Sequence, residues 1–202
     1  MFKTVWIASL ALMIAGTMLA QAEQNPIVEM VTSSGTIKIE LFPEQAPITV
    51  SNFLAYVDSG FYNGTVFHRV IRNFMIQGGG FDAELNRKPT RPPIANEAAN
   101  GLRNTRGTIA MARTMVPDSA TSQFFINTSN NASLDYRNNT PQGIGYCVFG
   151  RVVAGEDVVD AIQSTRTGTS RGMQDVPLAP IVIETVTRVN AKAEAEAEPT
   201  TD

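Results

Sequence analysis

Short runs of apolar residues alternating with polar ones, each broken by turn residues, constrain this chain most. Ile37, Ile39 and Leu41 alternate with Lys38 and Glu40, inside one of two runs (27–34 and 36–42) that flank a Ser-Gly turn. A period of two puts successive side chains on opposite faces, which is a half-buried strand. Residues 181–189 alternate in the same way, and 65–71, 73–77, 108–112, 123–127 and 147–153 read as further short strands, with Asn63-Gly64 as a turn before the first of them. Two stretches break the period. Val50, Phe53, Leu54 and Val57 fall at i, i+3, i+4 and i+7, after Pro47 at a first helical position and before Gly60 at the end. Residues 156–163 carry Val158, Val159 and Ile162 at helical spacing, with Glu156 and Asp157 in the first turn. Residues 81–107, with Pro89, Pro92 and Pro93, read as loop. Many short strands and two isolated helices predict one mostly-β domain, closed or sandwiched so that no long edge is open.

The two ends differ from this body. Lys3, then the nearly unbroken apolar run 5–19, then Ala20-Gln21-Ala22 form a signal-peptide pattern over residues 1–22. The run is about 15 residues, short of the ~20 needed to span a bilayer. Cleavage after Ala22 is therefore expected, with a periplasmic product that starts at Glu23 and has no membrane segment. Residues 191–202, AKAEAEAEPTTD, have no apolar face to bury and read as a disordered acidic tail. Between them, residues 23–190 make the folded domain. The tail holds one Lys and four acids, so most of the chain's formal charge of −3 sits there.

Composition narrows the chemistry. One Cys, Cys147, cannot close an intrachain disulfide or build a Cys-rich zinc site. One His, His68, argues against a multi-histidine metal centre, and neither a cofactor nor a metal is expected. A pI of about 5.2 leaves no positive excess for a phosphate backbone, so nucleic acid is not an expected partner. The glycines of 78–80 lack the Lys-Ser/Thr of a phosphate loop and read as a tight backbone course.

Three separated motifs carry the strongest signal: FHRVIRNFMIQGGG at 67–80, TSQFFIN at 121–127 and YCVFG at 146–150. With NEAANGLRNTRGTIAMAR at 96–113, they make the chain resemble the cyclophilin family of peptidyl-prolyl cis-trans isomerases (EC 5.2.1.8). The likeness runs over residues 26–189 and is strongest toward the short periplasmic cyclophilins of Gram-negative bacteria. It implies a closed eight-stranded antiparallel β-barrel with two capping α-helices. It also implies catalysis of rotation about X-Pro bonds in unfolded or partly folded chains, as an aid to folding of secreted and periplasmic proteins by a monomer.

The resemblance assigns roles residue by residue. Arg69 matches the catalytic arginine, and Gln77 the glutamine that orients it and a substrate carbonyl. Phe74, Met75, Phe125 and Leu134 match the hydrophobic proline pocket. Ala112 and Arg113 lie on the strand that pairs with bound peptide, Gln123 matches a residue of the neighbouring site, and Tyr146 stands where many eukaryotic members have His. Ser133 replaces the Trp of the cyclosporin contact, so weak cyclosporin binding is expected. Arg113 replaces an Asn and adds positive charge near the groove.

Two other functions compete. One is a module that holds Pro-containing segments without catalysis. The other is a Ser-His-Asp hydrolase, which would have to use His68. By alternation His68 points away from Arg69, toward packing.

Overall fold

The computed structural model describes residues 24–189. The signal-like segment 1–22 and the acidic segment 191–202 lie outside these residues. The first hairpin joins β1 (Ile27–Thr32) to β2 (Gly35–Leu41). Its register sets Val28 against Ile39 and Met30 against Ile37, and all four are fully buried on one face. Glu29 and Lys38 face the other way and form a partly exposed ion pair at 3.9 Å.

Helix α1 (Pro47–Asp58) begins at Pro47 as the spacing predicts, but Ala46 has no side chain to cap it. Glu97, from the long loop, does this instead. Its carboxylate accepts from the N–H groups of Ile48 (3.1 Å) and Thr49 (2.8 Å) and from the Thr49 hydroxyl (2.7 Å). A carboxylate suits those unpaired donors and the positive end of the helix. The helix turns Phe53 inward against the rings of Tyr62 (5.2 Å), Phe124 (5.8 Å) and Phe149 (5.2 Å). Gly60, with φ +65°, follows the last turn in the left-handed conformation that helix ends favour.

The remaining elements are β3 (Thr65–Val66), β4 (Arg69–Ile71), β5 (Met75–Gly78), β6 (Thr108–Met111), β7 (Phe124–Asn127), a 3-10 turn at Ala132–Leu134, β8 (Val148–Ala154), α2 (Glu156–Gln163), β9 (Thr167–Ser170), β10 (Met173–Pro177) and β11 (Val182–Arg188). Nine strands form one antiparallel sheet in the order β3-β11-β1-β2-β8-β6-β7-β5-β4. A closed eight-stranded ladder was the expectation, and this sheet departs from it. Its two end strands, β3 and β4, are not paired with each other. They are joined through Phe67 and His68 alone. Phe67 N–H bonds to Ile181 O (3.0 Å), so the expected single run 65–71 splits in two, one part on β11 and the other on β5. The link covers three Cα steps, at most about 11 Å, so the sheet curls strongly and brings its two end strands near each other. Helix α1 packs on β11, and α2 packs on β2, β4 and β5.

One hairpin escapes the sequence pattern. β9 and β10 pair as a separate two-stranded sheet around Arg171 and Gly172, both with positive φ (48° and 78°). Two such residues in succession make the turn that suits a tight hairpin. The strand sequence TGTS is polar and exposed, so no alternation announces it. The hairpin packs beside β4.

Candidate active site

Alternation gives the sheet two apolar faces. Ile76, Ile109, Met111, Phe124, Ile126 and Phe149 fill the main core beneath the helices. Their neighbours Met75, Ala110, Phe125 and Val148 form a second, smaller cluster, against which Phe74, Ala112, Leu134 and Tyr146 pack. The second cluster lies on the opposite face of the same strands, because i and i+1 cannot share a face.

Hairpin β4–β5 places Arg69 across from Gln77 and Ile71 across from Met75. Its turn needs a left-handed residue, and Asn73 (φ 57°) supplies it. The Asn73 N–H donates to Gln163 Oε1 of α2 at 3.0 Å, which ties the turn to the helix. The Phe74 carbonyl accepts from Thr128 N–H (3.0 Å) and from Asn131 Nδ2 (2.7 Å). Asn131 also donates to Asn127 Oδ1 (2.7 Å), and Asn127 in turn donates to the Thr108 hydroxyl (2.9 Å). This buried amide chain fixes Phe74 and starts the 3-10 turn that carries Leu134.

Arg69, Phe74, Met75, Gln77, Ala112, Arg113, Phe125, Leu134 and Tyr146 together line one concavity of about 130 Å³. Phe125 and Met75 form a nearly buried floor. Tyr146 stands edge-on to the Phe125 ring at 5.7 Å. The Arg113 guanidinium covers the Tyr146 ring at 4.6 Å, and its Nε–H donates to Gly145 O (2.8 Å). Arg113 is thus anchored as a wall of the groove. Gly145 has φ +69°, and a Cβ there would come within 2.5 Å of the Tyr136 nitrogen. Ser133 is exposed in the 3-10 turn, so no ring covers that side.

Gln77 and Gln123 are hydrogen-bonded to each other. Gln77 Nε2 donates to Gln123 Oε1 at 2.9 Å, rather than to any partner at Arg69. The register explains this, since Gln77 opposes Phe125 and Gly78 opposes Phe124, which puts Gln123 diagonally next to Gln77. Gln123 acts there as the partner of Gln77 and is not part of the lining of the concavity. Ala112 and Arg113 fall just past the end of β6, and the Ala112 N–H is engaged by Gln123 O (2.9 Å). The Arg69 guanidinium pairs with Asp175 of β10, whose Oδ2 is 3.8 Å from Nε. Nothing local in the sequence signals that pairing, which spans more than a hundred residues. Asn131 and Gln163 were equally silent, since each acts on a turn remote in sequence.

A larger cavity, about 300 Å³, lies between His68 and the β9–β10 hairpin, with Leu85, Val176, Pro177 and Leu178 in its wall. His68 is buried against the Phe81 ring at 4.6 Å, and burial pulls its pKa down to about 4. Its Nδ1 has no hydrogen-bond partner. A triad histidine gives that proton to a carboxylate, so the hydrolase reading fails on geometry. Burial also pushes the Cys147 thiol up to about 11, beside the Thr49 hydroxyl at 3.4 Å, which leaves it un-ionised. The glycine run is a packing device. A Cβ on Gly80 would meet Gln123 at 2.5 Å, and one on Gly79 would meet Phe124 at 2.8 Å.

Known proteins share this pattern. Residues 27–188 match the family model for cyclophilin type peptidyl-prolyl cis-trans isomerase/CLD. The peptidyl-prolyl cis-trans isomerase cyp18 of Streptomyces antibioticus is 61% identical over 157 residues, 78% of this chain and 95% of that protein. Peptidyl-prolyl cis-trans isomerase B of Escherichia coli (strain K12) is 56% identical over 156 residues, 77% of this chain and 95% of that protein. Among solved structures, a Cryptosporidium parvum cyclophilin type peptidyl-prolyl cis-trans isomerase in the presence of the dipeptide ala-pro superposes with a TM-score of 0.66 at 27% identity. It covers 81% of this chain and 99% of its own.

Proposed function

The chain belongs to the cyclophilin-type peptidyl-prolyl cis-trans isomerases, and from that premise we propose how its own residues do the work and where. It is an isomerase of X-Pro peptide bonds. The barrier to rotation is ~18–20 kcal/mol, because the amide must lose its resonance. Reaching about 10³ turnovers per second requires lowering it by roughly 6–7 kcal/mol. No bond to another group forms and no proton needs net transfer.

In our reading the pyrrolidine ring sits on Phe125 and Met75, between Phe74 and Leu134. As resonance is lost, the imide nitrogen becomes pyramidal and basic. The Arg69 guanidinium, at the rim of the same concavity, donates to it. That bond is stronger in the twisted state than in the planar one, which is the condition for catalysis. Gln77, steadied by Gln123, offers an amide to the flanking carbonyl. Tyr146 and Arg113 bound the channel along which the peptide runs.

The observation that carries this reading is the convergence of the Arg69 guanidinium of β4 and apolar side chains of β5, β7 and the 3-10 turn on a single concavity. Arg69→Ala tests it. The isomerisation rate of a Pro-containing peptide is expected to fall about 100-fold or more, with the unfolding midpoint unchanged. An undiminished rate sinks the mechanism.

The clients are proposed to be secreted and periplasmic chains, with this protein acting as a monomer. Support comes from the charge, apolar run and small-residue site of residues 1–22. N-terminal sequencing of protein from the periplasmic fraction is expected to start at Glu23. Weak cyclosporin affinity is proposed from the exposed Ser133, and Ser133→Trp is expected to raise it.

A further inference from the structure

We propose that Asp175 is a positioning residue for Arg69, which makes the β9–β10 hairpin part of the isomerase machinery. This rests on the reading of Arg69 as the donor. Arg69 sits on an end strand of the main sheet with its side chain 42% exposed. A long side chain in that setting samples many rotamers, and each costs time away from the productive one. No hydrogen bond among the described residues holds its guanidinium, and Gln77 is turned toward Gln123. Asp175 is the carboxylate within ion-pair reach, and its closest approach is to Nε at 3.8 Å. A contact on the Nε edge leaves both Nη groups to the proline seat.

The local backbone aims Asp175 there. The β9–β10 register slips between Met173 and Val176, and Asp175 has φ +60°. A bulge of this kind re-aims a side chain, and Asp or Asn adopts the left-handed conformation with least strain. Val176 and Pro177 next to it are buried, so the bulge has a fixed base. Asp175 does not line the proline concavity, so it acts through Arg69 and not on the peptide.

Asp175→Asn keeps the shape and the tolerance of positive φ while removing the charge. On a Pro-containing peptide its kcat is expected to fall about 5-fold with KM unchanged. In an Arg69→Ala background the same change is expected to add nothing. An exposed pair is screened by salt, so added sodium chloride is expected to lower wild-type kcat toward the Asp175→Asn value and leave the variant flat. This salt series still tests the idea if the variant folds poorly. A wild-type kcat indifferent to salt, a variant with wild-type kcat, or a full further loss on top of Arg69→Ala overturns the proposal. Loss in Arg69→Ala alone, with Asp175→Asn unaffected, would leave the isomerase mechanism standing and remove only this role for Asp175.

Discussion

The two faces of strands β5 to β8 are made of neighbouring residues yet meet different fates. Phe124 and Phe125 are adjacent, and both are almost fully buried. Phe124 is locked among Phe53, Tyr62 and Phe67 under helix α1. Phe125 has no helix over it, only Tyr146, Leu134 and the other walls of a 130 Å³ concavity. Covered by a helix on one side and lining a concavity on the other, the same strands give a rigid floor and an apolar seat. The contrast teaches that apolar burial here serves stability inside and recognition outside.

Truncating one ring on each face should separate those purposes most sharply. Phe53→Ala is expected to cost about 3–5 kcal/mol of stability, because a sealed core cannot collapse around the void. Phe125→Ala is expected to cost about 1–2 kcal/mol, since its void opens to water, and to raise KM for a Pro-containing peptide several-fold. Urea unfolding and steady-state kinetics measure both. Equal stability losses with unchanged KM would erase the distinction between the faces.

A pH series probes a site beside both faces, the link between β3 and β4 where His68 is buried. Its folded pKa of about 4 lies below the ordinary histidine value of 6.5, and burial is the main cause. The unfolded chain therefore binds this proton first as pH falls. Stability from this group is complete above about pH 6.5, drains away between about 6.5 and 4, and changes no further below that. The full contribution is up to about 3 kcal/mol. His68→Gln is expected to flatten that part of the pH–stability curve, while kcat/KM of the wild type stays level from about pH 6 to about pH 8.

The smallest effect belongs to neither face. Asp58 and Arg188 form a two-bond pair (2.7 and 2.6 Å) at the surface, and Arg188 holds the Asp58 carboxyl below the usual range. Both side chains are about half exposed. Asp58→Asn is expected to cost at most about 1 kcal/mol, less in high salt. A larger loss by urea unfolding would mean that surface charge, and not the two apolar faces, carries this edge of the sheet.

Periodicity was enough to find α1, α2, β2 and β11 to within a few residues, since burial on one face writes itself into every second or fourth position, while β5 and β7, apolar on both faces, showed only as short apolar runs. The site residues of β4, β5 and β7 were legible through their motifs, and the structure brings them to one concavity with Leu134 and Tyr146. Other features left no local trace. Strand β9 is polar and largely exposed and β10 is broken by a bulge, so nothing alternates in that hairpin. Glu97 capping α1, Asn131 holding Phe74, Gln163 holding Asn73 and Asp175 beside Arg69 are contacts between residues distant in the chain. Each is an isolated polar side chain whose partners lie far off in the chain, and such a group has no period. The sequence by itself determined which residues face in and which face out. Only the tertiary structure decided which polar groups meet, because that depends on how far the sheet curls and on where its last two strands are parted by Phe67 and His68.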